Sequence, residues 1–332
     1  MAKYNFCTLF DTNYSAQGLA MYKSLKKHCK DFHLYIFAFD ETLPHILKKL
    51  HLKNTTIISL TEFEDEELLK VKPTRTRGEY CWTCSSSTIL YCIEKYSLSH
   101  CTYIDSDLCF FSDPAILIEE MSDNEDVLIT SHRYTPEYDQ TSTSGKYCVQ
   151  FMTFRNTENG LNILKWWRSA CLEWCYNRFE DGKFGDQKYL DDWPQRFKGV
   201  HVLNHLGGGV APWNMQQYSF SKNNRGIIGT ELVSNEIFIL VFFHFHYLKC
   251  FRKGFFNEFR YTNYSLPDTV RKRIYNPYLL TLIWSYYAIR SKSIKSDCIN
   301  AQQLESPTYY KWIKIIVQRF KRREKGYLYW IG

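Results

Sequence analysis

The sequence predicts an α/β fold, a mostly parallel central sheet with helices on both faces. Three observations carry this expectation. Short β-prone apolar runs alternate with helical periodicity from Tyr4 to Val71, the pattern of consecutive β-α-β units. A later β-prone run, Thr102 to Ile104, stops abruptly at Asp105-Ser106-Asp107. A third run, Ile237–Phe243, is strongly apolar and ends in His244-Phe245-His246.

Taken in order, Tyr4–Phe10 is the first buried strand, ending at Asp11-Thr12-Asn13-Tyr14. A helix follows with Ser15 as its N-cap and Leu19, Tyr22, Leu25 and Lys26 near helical spacing. His33–Phe39 is a second strand, Leu43–His51 a helix, Thr56–Leu60 a third strand and Glu62–Val71 again helical. Ligands of such sheets sit beyond the carboxyl ends of the strands, which sets the Asp11–Tyr14 loop in position to meet a nucleotide. Lys72–Glu79 carries Lys72, Arg75 and Arg77 around Pro73 and Gly78. It is expected to be a mobile basic loop, either a lid over phosphate or a solvated connector. Cys84–Tyr96 is a helix leading to the Asp105 strand, Asp126–Ser131 and Tyr147–Phe154 are strands, and Leu161–Arg178 is a helix. Its Trp166, Trp167 and Trp174 belong to the core. The polar stretch His132–Lys146 is long enough to be a functional loop.

Side chains alternate faces along extended backbone, so Asp105 and Asp107 are expected on one side. Two carboxylates there repel each other unless a cation lies between them. A hard divalent ion, Mn²⁺ or Mg²⁺, suits carboxylate and phosphate oxygens together. The same alternation gives His244 and His246 a shared face. Asp186 and Gln187 stand at a helix start, where Asp186 is either a hydroxyl-binding group or an N-cap. Three consecutive glycines, Gly207 to Gly209, lack the lysine and spacing of a phosphate-binding loop. They form an acceptor-side loop or a tight structural turn, with Pro212 and Trp213 as an apolar wall.

The chain has 332 residues, 45% hydrophobic and 17% aromatic, enough for one large domain with an appendage. We expect residues 1–265 to form the catalytic domain and 266–332 a helical basic extension. From Arg271 onward there are 13 Lys/Arg against 3 Asp/Glu, whereas the rest holds 29 against 32. The net +7 is therefore a property of the extension. Within it Tyr309, Trp312, Ile313, Ile316 and Phe320 form an apolar stripe beside Lys311, Lys314, Arg319, Lys321, Arg322 and Arg323. That composition fits a helix lying on an anionic membrane surface, with docking on the core as the alternative. No nucleic-acid recognition motif accompanies it. The twelve cysteines follow no disulfide framework, and the N-terminal residues lack a signal-peptide core. A cytoplasmic chain, peripheral on the inner face of the plasma membrane, is expected. Cys81-Trp82-Thr83-Cys84 has redox or zinc spacing but no partner pair to complete a zinc site.

Asp105-Ser106-Asp107 resembles the Asp-x-Asp motif of GT-A glycosyltransferases, nearest in pattern to family 8 and related bacterial surface-polysaccharide enzymes. Phe6–Tyr14, Phe184–Trp193, His205–Asn214 and Phe242–Lys249 match the same pattern. The resemblance implies a GT-A, Rossmann-like nucleotide-diphospho-sugar transferase fold over roughly residues 4–250. It implies that Thr8, Asn13 and Tyr14 meet the base and ribose, and that Tyr80 and Trp82 lie near the donor sugar. Asp105, Ser106 and Asp107 would grip the metal–diphosphate. His244, with His246 as the alternative, would complete the metal ligands, and Lys249 would meet the diphosphate, with Arg75 or Arg77 sharing that charge. Asp186-Gln187 followed by Leu190 is similar to the family's Asp-Gln-x-x-Leu element beside the anomeric carbon. Two departures stand out. Cys148-Val149-Gln150 replaces Asn-x-Gly, and Tyr247 and Lys249-Cys250-Phe251 replace a glycine and Lys-Pro-Trp.

The function expected is metal-dependent transfer of a sugar from a nucleotide-diphosphate donor, a UDP-sugar, to a saccharide or glycolipid acceptor. The resemblance implies retention at the anomeric carbon and a role in bacterial lipopolysaccharide or capsule synthesis. Two rivals use some of the same residues. A haloacid-dehalogenase-type phosphatase also has Asp-x-Asp after a strand, but on its first strand. A saccharide-binding protein without catalysis would need no metal.

Overall fold

The computed structural model describes residues 2–253, 256–260, 264–292, 301–303 and 330–331, with backbone alone at 249–253, 256–260, 301–303 and 330–331. Among these residues the main sheet has seven strands: β1 (Tyr4–Phe10), β2 (Phe32–Ala38), β3 (Thr55–Ser59), β4 (His100–Ile104), β6 (Val127–Ser131), β7 (Tyr147–Arg155) and β8 (Val200–Val202). Their order is β3-β2-β1-β4-β7-β6-β8. The first four are parallel, as are β6 and β8, and β7 runs antiparallel to both of its neighbours. The sequence-predicted α/β class with a mostly parallel sheet is what the chain adopts.

Each strand divides its side chains between two cores. Phe6, Phe10, Leu34 and Ile36 pack with the helices Ser15–His28 and Asn276–Arg290. Cys7, Leu9, Tyr35 and Phe37 pack on the other face with the helices Arg77–Tyr96 and Glu158–Glu173. Trp167 is fully buried there, its ring stacked 6.1 Å from Phe154.

Several local expectations change. Ser15 is the first helical residue and the cap position falls on Tyr14; the Ser15 hydroxyl donates to the Thr12 carbonyl at 2.6 Å. The 72–79 stretch is not a loop throughout. A 3-10 turn, Lys72–Thr74, leads directly into the Arg77–Tyr96 helix, which starts at a reciprocal capping box between Thr76 and Glu79. The Ile237–Phe243 run divides. Ile237–Ile239 joins a small antiparallel sheet, while Phe242–His244 pairs with Leu108–Phe110. The backbone N–H groups of Val241 and Phe242 both donate to the Gly207 carbonyl, at 2.9 and 3.2 Å, and this diverts the chain between sheets.

The boundary expected at residue 265 does not separate two cores. Tyr275, Tyr278, Leu279, Leu282 and Ile289 are buried in the same cluster as Leu19 and Leu25. The physical reason is the apolar face of the Asn276–Arg290 helix, which covers the Ser15–His28 helix as part of one core. The 309–323 stripe lies outside the described residues.

The glycine loop that steers the His244 strand is braced from below. Glu120 accepts hydrogen bonds from the Asn204 and His205 N–H groups at 2.6 and 3.0 Å. The His201 ring lies between Glu120 and Glu125, 2.8 Å from each. Both ring nitrogens face acceptors, which suits the imidazolium. Burial would lower the His201 pKa, but its bonds to the two glutamates raise it above the ordinary value. A raised folded pKa gives stability that is full below the unfolded value of about 6.5 and is lost as pH rises through the folded pKa. His201→Gln should therefore melt a few degrees below the native chain near pH 6. The gap should close at alkaline pH, as thermal melts across that range will register.

Candidate active site

The chain leaves β4 at Ile104 and turns straight back into β5 (Leu108–Phe110), with Leu108 N–H on the Asp105 carbonyl at 3.3 Å. Asp105 and Asp107 thus sit on a tight turn, not on the extended backbone expected. Their carboxylates still converge with an imidazole, because the strand Phe242–His244 pairs with β5 in antiparallel register and delivers His244 opposite Leu108. His244 Nε2 is 3.1 Å from Asp107 Oδ1 and 3.7 Å from Asp105 Oδ2. Among the described residues, one ligand atom from each of Asp105, Asp107 and His244 lies within 4.8 Å of the others. His246 does not belong to this group; its ring turns to Trp213 at 5.6 Å.

The register of His244 is set by the glycine loop. His244 N–H donates to the Val210 carbonyl at 2.9 Å, and Val210 bridges Phe243 in parallel. A Cβ on Gly207 would stand 1.9 Å from the Ile239 carbonyl oxygen, so only glycine permits this approach. The close approach at Gly207 and the φ of +91° at Gly209 fit the structural-turn alternative.

Gln150, fully buried on β7, joins the two sides of the site. Its backbone carbonyl accepts from Asp105 N–H at 3.1 Å, and its Oε1 is 2.7 Å from His244 Nδ1. An amide oxygen only accepts, so Nδ1 carries the proton and Nε2 presents its lone pair to the carboxylates when the ring is neutral. This is the outer support that metal-binding histidines ordinarily have. In the sequence Gln150 marks only a departure from the Asn-x-Gly pattern.

Electrostatics follow from burial. Burial pushes Asp105 up to about 6, opposed by the His244 charge and reinforced by Asp107. Burial also presses upward on Asp107, but the charge and hydrogen bond of His244 hold it below the usual carboxylate range. Burial would lower His244, and the Asp107 carboxylate instead lifts it well above the ordinary value. Without a cation the histidine therefore carries the positive charge, and a divalent ion would take its place and release the proton. The donor set of two carboxylates and one imidazole fits Mn²⁺ or Mg²⁺.

Asp186 comes into the same neighbourhood. Burial pushes its pKa up to about 7, a Ser85 hydrogen bond opposes this, and the Asp105 charge adds to it. Its backbone carbonyl accepts from Trp167 Nε1 at 2.9 Å. Trp82 packs beside this turn, its ring 6.3 Å from that of Phe184 and 3.4 Å from where a Cβ on Gly185 (φ +53°) would stand. Gln187 Nε2 donates to the Ser144 carbonyl at 2.8 Å and Lys188 Nζ to that of Thr141 at 2.8 Å. The segment therefore clamps the 132–146 loop.

The first strand and its loop are arranged differently. Thr8 is fully buried with no hydrogen-bond partner for its hydroxyl, Asn13 is half-buried and Tyr14 is 40% exposed. Ser106 is buried between the two aspartates. Arg77 is held by Asp11 at 2.7 Å and Asp40 at 3.5 Å, while Arg75 donates to the Leu172 carbonyl at 3.2 Å and covers the Tyr176 ring. Both guanidiniums are thus engaged by carboxylates, carbonyls and a ring near them. The Lys249 side chain lies outside the description. Tyr278 belongs to no motif in the sequence. It is buried, stacked 3.6 Å on Phe245, and feels the Asp107 charge.

Replacing Gln150 by Leu keeps the volume but removes the acceptor for His244 Nδ1. Mn²⁺ affinity, followed by calorimetry, should fall by about 10–100-fold, and Gln150→Glu should restore much of it. Equal losses in both variants would reduce Gln150 to core packing.

No family model matches the chain. Among solved structures it is similar to mouse xyloside xylosyltransferase 1, with 13% identity, TM-score 0.45, and 74% of this chain and 98% of that one covered. It is similar to the galactosyltransferase LgtC, solved with donor and acceptor sugar analogues, with 14% identity, TM-score 0.44, and coverage of 73% and 87%. Sequence relatives are nearer. YfnF of Bacillus subtilis, an uncharacterized protein, is 32% identical over 248 residues, covering 72% of this chain and 80% of its own length. YfnD of the same organism, also uncharacterized, is 32% identical over 289 residues, or 85% of this chain and 89% of YfnD. The chain belongs to the family of which YfnD and YfnF are members.

Proposed function

We propose that the protein is a metal-dependent GT-A glycosyltransferase, EC class 2.4, that moves a sugar from a nucleotide-diphosphate sugar to a saccharide or glycolipid acceptor. The single observation that carries this reading is the convergence of Asp105, Asp107 and His244 at a strand end of a mostly parallel sheet. Those three residues would hold Mn²⁺ or Mg²⁺. When bound, the ion supplies Lewis acidity and charge neutralisation for a departing diphosphate. Gln150 keeps the His244 ring oriented for this task. Asp186 and Gln187 are assigned to the sugar, since Asp186 is buried near Asp105 and can carry a proton near neutral pH. Thr8, Asn13 and Tyr14 are assigned to the nucleoside, Trp82 to the donor sugar, and Ser106 and Lys249 to the diphosphate.

The finer statements rest on the family 8 resemblance: a UDP-sugar donor, retention of configuration, and a role in bacterial surface-polysaccharide synthesis. A cytoplasmic enzyme attached to the membrane through its basic C-terminal segment, within residues 266–332, completes the proposal. No helix among the described residues is long and apolar enough to cross a membrane.

Donor hydrolysis measured over a panel of UDP-sugars, with Mn²⁺ and with EDTA, tests the reading. Turnover should require the metal. Asp107→Ala should lower it on the order of a hundredfold or more, with a melting temperature within a few degrees of the native chain. Metal-independent binding of saccharide without turnover would point to a binding protein, and a covalent aspartyl-phosphate to a phosphatase. Gln187→Ala should lower kcat with KM nearly unchanged, the behaviour of a contact made mainly in the transition state.

A further inference from the structure

The Asn276–Arg290 helix is apolar on both of its faces. Tyr278, Leu279, Leu282, Tyr286 and Ile289 are buried against the core. Leu280, Trp284 and Tyr287, spaced four and three residues apart along the opposite face, remain 56%, 70% and 45% exposed. No charged residue occurs from Asn276 to Ile289. A surface helix ordinarily turns a polar face to water, and one that is apolar all round is covered on both sides in the working protein.

The charges around this face say what covers it. Lys272 and Arg273 precede the helix, Arg290 ends it and Lys292 follows it, all four exposed. Asp268 offsets part of the first pair, 3.7 Å from Lys272. At the other end Lys49 Nζ reaches the Lys292 carbonyl at 3.3 Å, bringing a further cation to that corner. Trp, Tyr and Leu between two basic ends is the composition of a segment lying in the plane of a lipid interface. Its length supports the same orientation. Fifteen residues span roughly 22 Å, short of the ~30 Å hydrocarbon core. Cations at both ends also keep both ends at the headgroups. A protein partner would cover Trp284 equally well but gives no reason for cations at both ends.

We propose that the Leu280–Trp284–Tyr287 face seats the folded body on an anionic lipid surface, with the helix parallel to the membrane plane. The proposal rests on the reading that the acceptor is carried at a membrane, and it names the surface of the folded body that meets it. These residues are separate from the 309–323 stripe.

Flotation of the full chain with phosphatidylcholine vesicles, with and without phosphatidylglycerol, tests it. The native chain should float only with the anionic vesicles. Leu280→Ser/Trp284→Ser should lower the partition coefficient by about tenfold or more, with donor hydrolysis in vesicle-free buffer unchanged. Arg273→Glu/Lys292→Glu leaves the apolar face intact and should also lower partitioning, more steeply at low salt; it decides the matter if the serine variant does not fold. Equal partitioning of native chain and charge variant would overturn the proposal. So would serine substitution that leaves flotation unchanged but abolishes self-association in sedimentation, since the face would then belong to a second copy. Metal-dependent donor turnover without flotation would remove the lipid surface and leave the transferase reading standing. Flotation without turnover would do the reverse.

Discussion

Two carboxylates partly withdrawn from water on one turn drive each other toward protonation unless a cation stands with them. Much of the structure around Asp105 and Asp107 answers that constraint. His244 provides a counter-charge from a strand remote in sequence. Gln150 fixes the histidine ring and the Asp105 backbone with one side chain and one carbonyl. Trp213 closes the space behind both histidines, with ring centroids 5.4 Å from His244 and 5.6 Å from His246, and its Nε1 donates to the His132 carbonyl at 2.8 Å. The site is thus held by a sheet strand, a tight turn and a glycine loop, none of which would keep this geometry alone.

The sequence made the parallel half of the sheet legible because strand and helix periods alternate cleanly up to Val71. It also singled out Asp105, Asp107 and His244, since acidic and histidine pairs at the ends of apolar runs are conspicuous. It did not reveal how these residues meet. Extended alternation was the wrong geometry for Asp105 and Asp107, which lie on a turn. The unbroken apolar look of Ile237–Phe243 concealed a switch between two sheets that depends on the Gly207 carbonyl. The roles of Gln150 and Tyr278 are not legible for one reason: they arise from contacts with partners remote in sequence, and no local pattern announces such contacts.

The charge count misled in a related way. An excess of basic residues after Arg271 suggested an appendage, yet the first helix beyond that point buries Tyr278, Leu279 and Leu282 in the core. Net charge describes a surface, whereas a domain boundary depends on which apolar faces are shared. The two kinds of information diverge in this segment, whose inner face is core and whose flanks are cationic.

The parallel bridge between Val210 and Phe243 also says something about how the family can vary. A strand keeps its side-chain faces only while its register holds, and a slip of one residue sends every side chain to the opposite side. Length changes between Gly207 and Val210, or between Val241 and His244, would therefore rotate the imidazole away from both carboxylates even if every residue of the site were retained. The hairpin turn at Asn224 and Arg225, by contrast, is solvent-exposed and joins two strands that belong to the small antiparallel sheet with Ile237–Ile239. Insertions should accumulate there and be purged from the other two places, so that the spacing of these segments, as well as their residue identities, becomes a heritable part of the site.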